Sequence, residues 1–169
     1  MKEKFNFYLV IPIFVLVSAV SIWFLIPSED KTLINEANKF IGKDFPQTHS
    51  LDIATKKLYF DEIGKDKTIT LIYLDKNCEV CKAEVKTIAE NNLPTNNIFG
   101  VMNEDESVIK SYIKEHNINF PVFQDVNGKF LTSLENLYFP MNLKIKNGVI
   151  KKVLFGFPQD KVKFEEFIK

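Results

Sequence analysis

The chain has 169 residues, 46% of them hydrophobic, which suits one domain with a packed core. Its 22 basic residues are all lysine and balance 22 acidic ones, for a net charge of zero. No basic excess and no arginine argue against a nucleic-acid partner, which draws on positive charge and bidentate arginine contacts. The lysine bias reads as the composition of a low-GC bacterial genome, and 16 phenylalanines suit a sheet packed against helices.

Phe7 to Pro27 carries no charge. A run of roughly 20 apolar residues is long enough to span a bilayer. Lys2 and Lys4 precede it while Glu29 and Asp30 follow, so the positive-inside bias puts the N-terminus in the cytoplasm and the rest outside. Trp23 near the outer end fits an interfacial anchor. Val17-Ser18-Ala19 is a passable signal-peptide cleavage site, but the apolar run continues past it, which favours an uncleaved anchor in the lipid bilayer. A buried core helix is the third reading. No cysteine follows the run, so it carries no lipoprotein signal. The expected organisation is a cytoplasmic tip and transmembrane anchor over 1–27, a tether over 28–40, and a domain over 41–169.

Within the tether region, Thr32 to Phe40 has weak helical spacing, stopped by Gly42. Leu58 to Ile63 reads as a short turn of helix. Thr68 to Leu74 is apolar or β-branched throughout, the pattern of a strand buried on both faces. Glu79 to Asn91 has helical spacing in Val80, Ala83, Val85, Ile88 and Ala89, and Asn91-Asn92-Leu93-Pro94 ends it. Ile98 to Met102 is a second strand. A helix over Asp105 to His116 carries Val108, Ile109, Tyr112 and Ile113 on one face, with Glu104 or Asp105 as its cap. Val122 to Gln124 predicts a third strand and Lys129 to Leu137 a helix. Met141 to Lys146 and Val149 to Phe155 flank Asn147-Gly148, a strong hairpin signal. Lys161 to Lys169 closes the chain as a helix, with Phe164, Phe167 and Ile168 inward.

Cys78 and Cys81 are the only cysteines. They stand between the first strand and the helix that follows it. A strand feeding a helix through C-x-x-C places the first sulfur where unpaired backbone N–H groups and the helix dipole favour a thiolate. In an alternating strand–helix pattern this motif points to an α/β thioredoxin-like fold, a central mixed sheet with helices on both faces. Cys78 is then the attacking thiol, and Cys81 resolves the mixed disulfide from further in. An inert disulfide would close too short a loop to stabilise much. A zinc site lacks two further ligands, since no second C-x-x-C exists and His49 and His116 stand alone. No metal and no cofactor is expected.

From about Ile41 onward the chain resembles the membrane-anchored thiol–disulfide oxidoreductases of the TlpA and ResA family. The resemblance rests on Ile41-Gly42-Lys43-Asp44-Phe45-Pro46, Cys78-Glu79-Val80-Cys81-Lys82-Ala83-Glu84, Asn119-Phe120-Pro121-Val122-Phe123-Gln124-Asp125, and Pro140 before the hairpin. It implies that Glu84, on the same side of the helix as Cys81, exchanges a proton with that thiol. It also implies a cis-proline at Pro140 which, with Phe139, faces the cysteines and presents backbone to an extended substrate. The implied partners are protein substrates with disulfides or thiols, among them apocytochrome c in a reductive role, and a membrane thiol-electron transporter. The chain departs from the family at Asn77, where tryptophan is usual, at Glu79-Val80, which lacks a proline, and at Phe139, where a smaller residue is common. Ile72 replaces the buried aspartate of cytoplasmic thioredoxins. Glu79 should repel a thiolate at Cys78 and so work against a strongly oxidising pair. The alternatives are a disulfide-forming oxidase for exported proteins and a thiol-based metal- or partner-binding module. A thiol peroxidase is disfavoured, because Asp75-Lys76-Asn77 stands where it would need a threonine.

Overall fold

The computed structural model describes residues 28–45, 50–54, 67–91, 93–132, 138–156 and 161–168. The apolar run Phe7 to Pro27, the helical turn expected at Leu58 to Ile63 and the second half of the helix expected at Lys129 to Leu137 lie outside them. Among the described residues no helix is long and apolar enough to cross a membrane. The chain falls into two units, Met1–Glu36 and Ala37–Lys169, and the sheet belongs to the second.

In chain order the elements are α1 (Ser28–Phe40), β1 (Ser50–Asp52), β2 (Thr68–Leu74), α2 (Glu79–Glu90), β3 (Ile98–Met102), α3 (Glu106–Glu115), β4 (Val122–Asp125), a 3-10 turn (Val126–Gly128), α4 (Lys129–Thr132), β5 (Met141–Lys146), β6 (Val149–Phe155) and α5 (Lys161–Ile168). The six strands form one sheet in the order β1-β4-β3-β2-β5-β6. Strands β2, β3 and β4 run parallel, while β1, β5 and β6 pair antiparallel to their neighbours. Strand β1 was not expected. Its three residues carry no period of their own, and the pairing that makes it a strand is with Phe123–Asp125, far along the chain.

Strand β2 shows why the sheet needs cover on both sides. Successive side chains point to opposite faces, and all but the first residue of β2 are buried. Ile72 and Leu74 enter a core with Val85 and Ile88 of α2, Ile109 and Tyr112 of α3, and Phe164 and Ile168 of α5. Ile69, Leu71 and Tyr73 enter a second core with Phe40 of α1 and Phe130 of α4. Helices therefore lie on both faces. At the β5–β6 hairpin, Asn147 (φ 53°) and Gly148 (φ 72°) both take the positive backbone angles that this tight turn demands. Gly100 of β3 is required for a different reason: a Cβ there would lie 3.1 Å from Val122 Cγ2 and 3.2 Å from Phe120 Cε2.

Candidate active site

The end of β2 delivers the first cysteine through a short turn. Asp75 Oδ1 accepts the Asn77 N–H at 2.7 Å, and the Asp75 carbonyl accepts the Cys78 N–H at 3.2 Å. One side-chain and one backbone acceptor of Asp75 thus hold the turn. They leave Cys78 as the N-cap of α2, with extended φ −86° and ψ 105°. Cys78 Sγ accepts the Cys81 N–H at 3.0 Å, the bond that a serine or aspartate oxygen makes at an ordinary N-cap. The two sulfurs are joined in a disulfide, with a Cα–Cα distance of 5.2 Å. Cys78 is half-buried and Cys81 is 0% exposed. One sulfur is open to a partner and the other is shielded, the asymmetry that an attacking and a resolving thiol require.

Helix α2 buries Cys81, Glu84, Val85 and Ile88, a stripe at spacings of three, four and seven. Val80 is 45% exposed and Ala83 is also exposed, contrary to the inward placing expected from their hydrophobicity. The face turns because Cys81 and Glu84 take the inward positions. Glu79 lies outside, where Lys82 Nζ donates to its Oε1 at 2.6 Å. The negative charge expected to repel a thiolate at Cys78 thus has a local counter-charge.

Glu84 is 0% exposed. Among the described residues it is held by Asn142, whose Nδ2 donates to Oε2 at 3.3 Å, while Oε1 has no partner. Burial pushes the Glu84 carboxyl from its ordinary 4.5 up to about 8, against the smaller downward pull of the Asn142 bond. It is the protonated acid at neutral pH and ionises within reach of it. Asn142 is fully buried on β5, opposite Ile72. Nothing local in its apolar strand distinguishes it, and sequence reasoning passed over it.

Pro140 is reached from the other side. Tyr73 pairs with Met141, so the residue before β5 lies beside the end of β2 from which the C-x-x-C turn departs. The Phe139–Pro140 peptide is cis, and Pro140 is buried, its carbonyl accepting the Gly156 N–H at 2.8 Å. Phe139 is half-buried, its ring 5.6 Å from that of Tyr73. The fold thus brings Cys78, Cys81, Glu84 and the 139–140 segment to one end of the sheet. Among the described residues no group of three or more His, Cys, Asp or Glu side chains could hold a metal ion.

Comparison with known proteins places this geometry. The AhpC/TSA family model matches residues 41–159. No curated protein matches the chain. Among solved structures, the chain is similar to a Chlorobium tepidum protein assigned as the thiol:disulfide interchange protein DsbE, with a TM-score of 0.63 and 16% identity over 76% of this chain and 94% of that one. A secreted Mycobacterium tuberculosis disulfide oxidoreductase homologous to E. coli DsbE matches with a TM-score of 0.58 and 15% identity over 70% and 93%. The exposed lipoprotein thioredoxin of Streptococcus pneumoniae matches with a TM-score of 0.56 and 21% identity over 74% and 98%. At these identities the likeness concerns the fold, which is thioredoxin-like. The chain belongs to the AhpC/TSA family and is an enzyme of the thiol–disulfide oxidoreductase class, and it carries the Cys78–Cys81 disulfide at the start of α2.

Proposed function

We propose that the chain is a membrane-anchored, extracytoplasmic oxidoreductase that reduces disulfides in other proteins. The observation that carries this reading is the layering at the start of α2: half-exposed Cys78 on the surface, Cys81 fully buried behind it, and buried Glu84 one turn further along. Cys78 as thiolate attacks a substrate disulfide, forming a mixed disulfide and releasing one substrate thiol. Cys81 then gives its proton to Glu84 and attacks Cys78, which releases the second substrate thiol. The 139–140 segment, at the same end of the sheet, receives the extended substrate backbone.

The reductive direction is supported by the surroundings of Cys81. Strong oxidants owe their potential to a stabilised thiolate form, and the buried, protonated Glu84 beside the inner thiol supplies no positive charge that would stabilise one. The anchor reading of Phe7 to Pro27 and the charge bias around it support a domain outside the cytoplasm. There a reductive dithiol needs electrons from a membrane thiol transporter, and an apocytochrome c thiol pair is a fitting substrate. The peroxidase alternative finds no support beside Cys78, where Lys76 is paired with Glu104 at 2.9 Å and no threonine stands.

The test is to express Cys81→Ala in a bacterial host and isolate complexes sensitive to reductant. Exported proteins linked through Cys78 are the expected result. No mixed disulfide, or only cytoplasmic partners, overturns the reading.

A further inference from the structure

Four side-chain polar atoms among the described residues are buried without a hydrogen-bond partner: Glu84 Oε1, Asn142 Oδ1, Tyr112 Oη and His116 Nε2. Buried polar atoms in folded proteins nearly always find a partner, from protein or from water, so each needs an account. They are not scattered. Asn142 donates to Glu84. Tyr112 packs in the same buried cluster as Cys81, Val85 and Ile88 of α2, and burial first, then the Glu84 carboxylate, push its hydroxyl upward. The Tyr112 and His116 rings lie 4.4 Å apart, one helical turn from each other. Both residues line an open groove with Asn77, Lys82 and Glu115, and His116 Nε2 lies 4.0 Å from Glu115 Oε1.

We propose that these residues form a proton route, in which the proton that Cys81 gives to Glu84 passes by bridging water to Tyr112 and His116 and leaves at the groove between α2 and α3. Asn142 is the positioning residue that holds the carboxyl at the head of the route. The inference rests on Glu84 serving as the base for Cys81.

In the resolving step the Cys81 S–H bond breaks and its proton goes to the Glu84 carboxylate. The Cys81 sulfur forms the bond to Cys78, and the bond from Cys78 to the substrate sulfur breaks. The substrate leaves as a thiolate and takes a proton from water. Two electrons have passed from the dithiol to the substrate disulfide. Glu84 is protonated near neutral pH, so it must be emptied before it can act. Each turnover therefore uses the route, and interrupting it slows the second step.

The test uses the reduced full chain in detergent and the chromogenic disulfide of thionitrobenzoate. Attack by Cys78 releases one coloured thiolate, and resolution by Cys81 releases a second. Tyr112→Phe and His116→Ala are expected to slow the second phase about tenfold and leave the first unchanged, while Glu84→Gln slows the second about a hundredfold. Added imidazole should restore the second phase in His116→Ala. A merely structural role for the histidine would not give that rescue, and its failure overturns the route. A slow Glu84→Gln with both other variants at the wild-type rate overturns the route but leaves the base in place. A Glu84→Gln variant as fast as wild type removes the base and the route together.

Discussion

Among the described residues each face of the sheet buries one carboxylate, and the two are equipped differently. On the face opposite α2, Asp125 is 1% exposed and both of its oxygens are engaged: Oδ2 accepts the Tyr73 hydroxyl at 3.0 Å and Oδ1 accepts the Phe130 N–H at 2.9 Å. Tyr73 in turn stacks on Phe130 with ring centroids 5.2 Å apart. On the α2 face, Glu84 has one long bond from Asn142 and one oxygen without a partner. A carboxylate with both oxygens engaged ties elements together. One that is half engaged, beside the inner cysteine, is free to change its protonation. The difference teaches that burial alone does not mark a functional acid; incomplete satisfaction beside a reacting atom does.

The comparison breaks first on stability. Asp125→Ala leaves the Tyr73 hydroxyl and the Phe130 N–H without acceptors, and should cost roughly 2–5 kcal/mol in urea denaturation. Exchange activity per folded molecule should stay near wild type. A mild loss of stability would mean that Asp125 does not tie β2, β4 and α4 together.

Glu84→Gln should behave in the opposite way. Because the folded-state carboxyl lies above its unfolded value, the folded protein binds the proton more tightly between 4.5 and about 8. The Glu84 contribution is thus fully present below pH 4.5 and is lost as pH rises through about 8. The slope is at most about 1.4 kcal/mol per pH unit. Denaturation curves across that window should lose this slope in Glu84→Gln. A slope equal to wild type would place the titrating group elsewhere.

The smallest effect concerns the end of the chain. Lys144 Nζ donates to the Phe167 carbonyl at 2.7 Å and to the Ile168 carbonyl at 3.3 Å, capping the last turn of α5. Lys144→Met should cost about 1 kcal/mol and leave exchange rates unchanged. A large loss of activity would mean that α5 does more than cover the core.

The frame of the molecule was legible because it rests on local signals. The apolar run of β2, the Asn147-Gly148 turn and the C-x-x-C at a strand–helix junction each point one way, and the expected strands over Thr68 to Leu74, Ile98 to Met102 and Met141 to Phe155 are present. What stayed hidden depends on contacts between distant residues. A hydrophobic pattern assigns Val80 inward, whereas the fold exposes the valine; the family resemblance, and not any apolar pattern, places Glu84 beside Cys81, and the fold buries it fully. Asn142 meets Glu84 across 58 positions of chain, and Tyr73 meets Asp125 across 52. No window of sequence contains either pair. Asp105 illustrates the reverse: it occupies the N-cap of α3 as expected, yet its side chain makes no capping bond.

The central claim is that Glu84, and not Asp125, carries the proton for Cys81. Its most direct test is the rate of the second thiolate release, followed across pH in wild type, Glu84→Gln and Asp125→Asn. The account predicts that the wild-type rate climbs as Glu84 ionises around pH 8. Asp125→Asn should follow the same curve, and Glu84→Gln should be slower by about a hundredfold without that rise. Coincident curves for wild type and Glu84→Gln would contradict it.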